Sequence, residues 1–105
     1  MEDKDQIQKD KFNIIELIIE DVTKNKIQMS KNHRDTLYLA SVLYSLYGED
    51  GREYLHIMRK QRDGYNEKKI NDLFDYCKKN SKNHYSVLAL VQKYRKSKAN
   101  KSNLK

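Results

Sequence analysis

The chain has 105 residues, too few for a second domain, and a chain of this size buries roughly two thirds of its unfolded surface around one core. Charged residues make up 35% against 37% hydrophobic ones, proline is absent, and the only glycines are Gly48, Gly51 and Gly64. The chain therefore lacks the turn residues of tight hairpins and favours helices. The net charge of +7 is uneven: residues 1–22 carry three lysines against seven acids, and residues 23–105 carry 19 basic side chains against eight acidic ones.

The spacing predicts a first helix over residues 5–23, with Ile7, Ile14, Ile15, Ile18 and Val22 on one face and Phe12 and Ile19 widening it. Leu17 lies outside that stripe. Residues 24–31 read as a connector pinned to the core by Ile27 and Met29. A second helix starts near Asn32, capped by Asn32 or Ser30, and ends at Tyr47 before Gly48. Its core face is Leu39, Ala40, Leu43, Leu46 and Tyr47; the other side carries Arg34, Tyr38, Ser41 and Ser45, a face open to phosphates or simply to water.

Asp50 and Glu53 have the spacing of a capping box, which starts a third helix that stops by Gly64. Tyr54, Ile57 and Met58 centre its buried side, with Leu55 flanking, and Arg52, His56, Arg59 and Lys60 gather opposite. Asn66 caps a fourth helix with Ile70, Leu73, Phe74 and Cys77 inward. On its outer side, Lys68 can pair with Asp72 and Asp75 with Lys79. Residues 79–83 read as a loop. A fifth helix carries Val87, Leu90, Val91 and Tyr94, and from Lys93 onward six basic residues and no acid suggest a fraying, disordered basic tail. The expectation is an all-α compact bundle of about five short helices over residues 1–96, with a flexible tail over 97–105.

Little in the chain suggests catalysis. There is no Gly-Lys-Ser or Gly-Lys-Thr phosphate loop, and Asp72 and Asp75 have neighbouring lysines that explain them structurally. Cys77 lies far in sequence from His33, His56 and His84 and falls on an apolar face, so it reads as a buried inert thiol. No enzyme, metal or cofactor is expected. A single cysteine also fits a reducing compartment. No apolar run reaches the ~18 residues of a membrane span, and the opening residues are polar, so a cytoplasmic location away from membranes is expected.

The charge asymmetry points instead to a polyanion, because phosphate neutralisation and counterion release drive nucleic-acid binding. A lysine-rich surface that only maintains solubility is the plainer alternative. Candidate contacts are Arg34, Arg52, His56, Arg59, Lys60, Arg62 and Tyr65, together with Lys93, Arg95 and Lys96. His56 sits among cations and either joins the patch or is merely exposed. His33 and Arg34 lie at a helix start whose N–H groups favour an anion, although Asp35 competes for that position. Tyr65 either stacks on an unpaired base or packs at a helix junction.

Over residues 27–96 a series of short motifs keeps a distinctive order. Leu37-x-x-Ala40-x-x-Leu43 is followed by Gly48-x-x-Gly51-Arg52, then Tyr54-Leu55-His56, Tyr65, Phe74 with Cys77, and a last apolar helix over residues 87–91. In this order the chain resembles the helical primase C-terminal domain of type 2, found beside primase or helicase modules of plasmids, phages and mobile elements. The resemblance implies a non-catalytic helical bundle that helps a primase engage template DNA. The expected partner is nucleic acid, single-stranded or template DNA before RNA, with a primase or helicase as protein partner. The alternative is a protein-docking or oligomerisation module using the acidic first helix or the apolar Leu17 and Phe12.

Overall fold

The computed structural model describes residues 3–80 and 84–102, with the side chains of 12–80 and 84–99. Five α-helices, α1 (Asp3–Asn25), α2 (His33–Tyr47), α3 (Gly51–Arg59), α4 (Glu67–Asn80) and α5 (Val87–Ser102), build an all-α bundle, and no strand occurs among the described residues. None of these helices is long and apolar enough to cross a membrane.

The bundle is organised around α2, which touches α3, α4 and α5, while α1 lies on α3. Its sequence explains why. Leu39, Ala40, Val42, Leu43, Leu46 and Tyr47 are all buried and wrap round more than one face, each large apolar side chain contributing about 1.5–3 kcal/mol by leaving water. The side read as open to phosphates is consequently covered. Ser41 donates to the Leu37 carbonyl at 3.1 Å and lies 3.5 Å from the Cys77 sulfur, and Ser45 Oγ accepts the Tyr85 N–H at 2.8 Å. Only Arg34 and Tyr38 of that side are exposed, and Tyr38 packs edge-on against Tyr85.

On α1, Ile15, Ile18 and Val22 are buried and Leu17 stands out at 67% exposure; Ile7 lies outside the residues whose side chains are described. Lys26 adopts a left-handed φ of 52°, and the Ile27 N–H closes back onto the Val22 carbonyl at 3.1 Å, a Schellman-type stop that turns Ile27 and Met29 into the core. Asn32 then caps α2, its Oδ1 accepting the Asp35 N–H at 2.9 Å, and Asp35 in turn accepts the Lys31 N–H at 3.1 Å.

The junction to α3 differs from the capping box read from the sequence. Asp50 has helical angles (φ −62°, ψ −24°) and its side chain makes no cap hydrogen bond. A 3-10 turn, Gly48–Asp50, runs straight into α3, so the Gly51 N–H already has the Gly48 and Glu49 carbonyls as partners. Gly51 is needed here for another reason. A Cβ at this position would sit 2.7 Å from the Leu43 carbonyl oxygen, so only glycine allows α3 to approach α2 this closely.

Because α3 contacts α1, α2 and α4, its buried surface is wider than one stripe and centred elsewhere. Leu55 and Met58 are its buried centre, joined by Gly51 and Arg59, whereas Tyr54 and Ile57 are half-buried. On α4, Ile70, Phe74 and Cys77 are buried and Leu73 half-buried. Lys68 pairs with Asp72 at 3.1 Å, but Asp75 turns to Arg52 of α3 instead of Lys79, because that guanidinium is already held across from it.

The C-terminal tail also departs from expectation. The helix α5 continues through Ser102 where fraying was expected from Lys93 onward. Ser97 is buried, the Tyr94 hydroxyl donates to Asp21, and Lys98 reaches Asp21 at 3.1 Å, which ties the basic end of α5 to the acidic α1. Residues 103–105, and 81–83 of the expected loop, lie outside the described residues.

Candidate functional site

The structure separates the basic residues into three groups with different prospects. The first surrounds Arg52. Its guanidinium bridges Glu49 and Asp75, donates to the Asn71 carbonyl at 3.4 Å and Oδ1 at 3.3 Å, and lies 4.7 Å from the centre of the Phe74 ring. Glu49 also takes Lys78 at 2.8 Å. The Arg52 hydrogen bond, followed by that of Lys78, holds the Glu49 carboxyl down to about 2, and Glu49 first and Asp75 next raise Arg52 above its ordinary value. Two carboxylates thus occupy the cation that the sequence offers to phosphate, so Arg52 is a structural clamp between α3 and α4.

His56 and Tyr65 extend the same network. The two rings meet edge-on, with His56 Nδ1 2.7 Å from the Tyr65 hydroxyl and Nε2 2.9 Å from Asn71 Oδ1. Asn71 Oδ1 can only accept, so Nε2 carries a proton towards it. Lys60 is exposed and stands 5.4 Å from the centre of the Tyr65 ring. Tyr65 is therefore a half-buried junction residue, and both ring nitrogens of His56 have internal partners.

The second group is on α5 and does not join the others. Lys93 is 16% exposed and pairs with Asp35 at 3.2 Å, leaving Arg95 and Lys96 exposed on α5. Asp35 thereby occupies the α2 start twice over, through the Lys31 N–H and Lys93, which lower its pKa against the opposing effect of burial.

The third group lines a groove of about 660 Å³ between the start of α2, the α3–α4 loop and the outer face of α4. Arg59 corrects the sequence reading most sharply: it does not sit on an exposed stripe but is only 8% exposed, donating to the Arg62 carbonyl at 2.7 Å and the Asp63 carbonyl at 3.1 Å. These bonds fold the 62–64 loop over it, and Gly64 completes the turn with a φ of 83°. Burial and the nearby Arg62 guanidinium both pull Arg59 below its ordinary pKa. Arg62 Nε is buried and has no hydrogen-bond acceptor, and neither arginine meets a carboxylate among the described residues.

Lys69 and Tyr76, which the sequence reading passed over, complete this groove with His33 and Asp72. They are seven residues apart on α4, two helical turns and hence one face, a signal present in the sequence but masked by reading the outer side of α4 as a solvated charge ladder. Three cations, Arg59, Arg62 and Lys69, stand here against Asp72, which is already paired with Lys68. Arg34 is exposed next to His33 in the first turn of α2.

No group of three His, Cys, Asp or Glu side chains is placed to hold a metal ion among the described residues. Cys77 is buried, and desolvation pushes its thiol up, which disfavours the reactive thiolate. Fold and site together define a small all-α bundle with a cation-lined groove. Comparison with protein families, with characterised proteins and with solved structures finds no match to this chain.

Proposed function

We propose that this chain is a non-catalytic nucleic-acid-binding module, accessory to DNA priming and replication of a mobile element. The observation that carries the binding role is the groove at Arg59, Arg62 and Lys69, where three cations stand against one lining carboxylate, Asp72, which Lys68 already pairs. An uncompensated cation cluster is the electrostatic requirement for a phosphate site. The replication role rests on the motif order over residues 27–96 and its resemblance to primase C-terminal domains. Within the groove Arg62 and Lys69 are the contacts to phosphate, Arg59 shapes the loop, and exposed Lys60, Arg34, Arg95 and Lys96 add long-range attraction.

The test is fluorescence anisotropy with labelled oligonucleotides at two salt concentrations. Affinity should fall steeply with salt, by about 0.7–0.9 in log–log slope for each phosphate neutralised. Arg62→Glu with Lys69→Glu should weaken binding by more than about tenfold, since each removes a contact and adds repulsion, while Lys79→Glu, exposed on α4 outside the groove lining, should change it far less. No binding at low salt would sink the proposal. It would favour the docking alternative, which rests on the 67% exposure of Leu17 on acidic α1 and predicts a dimer or a captured partner by size exclusion with mass detection.

A further inference from the structure

Seven of the eight tyrosines have a partner for ring or hydroxyl. Tyr38 meets Tyr85, Tyr44 meets Phe74, Tyr47 meets Tyr54, Tyr65 meets His56, and Tyr94 meets Asp21. The exception is Tyr76, whose side chain is without a ring or hydrogen-bond partner among the described residues, is 59% exposed, and lines the cation-bearing groove. A large aromatic ring left in water costs free energy that the seven others avoid by packing.

Arg62 and Lys69 line the groove together with Tyr76, and the apolar Leu37 and Leu73 belong to the same lining. Lys69 and Tyr76 share a face of α4 and lie about 10 Å apart along its axis, seven residues at the helical rise. The volume of about 660 Å³ falls within the range of roughly 300–1,000 Å³ usual for small-ligand sites, and so suits a unit much smaller than a duplex.

An anionic end joined to a flat aromatic end over that span is the shape of a nucleotide. We infer that the groove takes one nucleotide unit of single-stranded nucleic acid, its phosphate at Arg62 and Lys69 and its unpaired base stacked on Tyr76. This deepens the nucleic-acid reading above and rests on it. Selection of single strands follows directly. In a duplex the base faces are stacked inside and the molecule offers the groove phosphates alone, whereas a single strand can turn a base outward onto the ring. Arg59 is a positioning residue here, since its two carbonyl bonds hold the loop that presents Arg62.

The experiment uses the full chain and four probes: a labelled single strand, its duplex, the same backbone with abasic sites, and a free nucleoside monophosphate as competitor. The base-bearing single strand should bind more tightly than the abasic strand by about 5- to 150-fold, the range for one stacked base. Tyr76→Ala should abolish that difference, Tyr76→Phe should keep it, and Arg62→Gln with Lys69→Gln should weaken base-bearing and abasic strands alike. Circular dichroism confirms folding, which an exposed Tyr76 should not compromise. Equal binding of base-bearing strand, abasic strand and duplex, still lost on charge removal, overturns the inference and leaves the nucleic-acid reading standing. Absence of binding to every probe overturns both. Displacement by the monophosphate as readily as by the oligonucleotide overturns the strand assignment in favour of a mononucleotide pocket.

Discussion

Arg52 and Arg59 stand two turns apart on α3 and therefore share a helical face, yet the fold treats them in opposite ways. Around Arg52, α4 supplies Asp75 and the preceding turn supplies Glu49, so the guanidinium is neutralised and lies on the Phe74 ring. Around Arg59, the chain supplies only backbone carbonyls and a second guanidinium, so charge accumulates instead of cancelling. The difference lies in what the neighbouring elements bring. A basic residue becomes available to an anion where its neighbours cannot satisfy it, and that groove, rather than the Arg52 cluster, is where the proposed function belongs.

The largest effect is expected where the Arg52 region meets the core. Phe74 is fully buried, packs edge-on against Tyr44 and lies beneath Arg52, so Phe74→Ala should destabilise the fold by about 3–5 kcal/mol in urea denaturation. A loss below about 1 kcal/mol would mean that the carboxylates alone organise this side. Next comes the groove. Arg59→Met keeps an apolar stem but leaves the Arg62 and Asp63 carbonyls without their donor, at a cost of about 1.5–3 kcal/mol. Arg59→Lys should recover little of it, because an ammonium does not reproduce the two-pronged guanidinium geometry. Full recovery with lysine would show that charge alone, and not the fork, holds the loop.

The same contrast explains what was legible in the sequence. Periodicity and the near absence of turn residues give an all-α bundle, the Asn32 and Asn66 caps, and the buried Ile15, Ile18 and Val22 of α1 and Ile70, Phe74 and Cys77 of α4, because these depend on neighbours within one helix. Asn66 Oδ1, for example, accepts the Lys69 N–H at 3.0 Å. Burial on a second face depends on the other helices, and there the reading failed. Ser41 and Ser45 look solvent-facing but are covered by α4 and the residues before α5, and α5 continues where its composition suggests fraying because Asp21 of α1 anchors Tyr94 and Lys98. The site was legible only in part. Arg59 and Arg62 carry a charge signal, but the fate of each was set by partners distant in sequence or by the local loop, and Tyr76 becomes distinctive only when the other tyrosines have found theirs.

The smallest expected effect separates the two arginine environments by pH. Glu49 titrates at about 2 in the folded chain against an ordinary 4.5, chiefly because it accepts hydrogen bonds from Arg52 and then Lys78. A carboxyl held low stabilises the fold fully above its unfolded value, and that contribution drains away as pH falls from about 4.5 to about 2. Because Glu49 is exposed, water and salt screen the pair and keep the change in urea midpoint small. Glu49→Gln should flatten this part of the acid limb, and Arg52→Gln should do the same by removing the first partner. The slope left behind belongs to the other depressed carboxyls, Asp21, held mainly by the Tyr94 hydroxyl, and Asp35. Arg62→Gln should leave the acid limb as it is in the natural chain, since no carboxylate is bound to that guanidinium among the described residues. If Arg62→Gln flattens the limb as much as Arg52→Gln does, then a carboxylate is paired with the Arg62 guanidinium, and the distinction between a neutralised arginine and an available one fails.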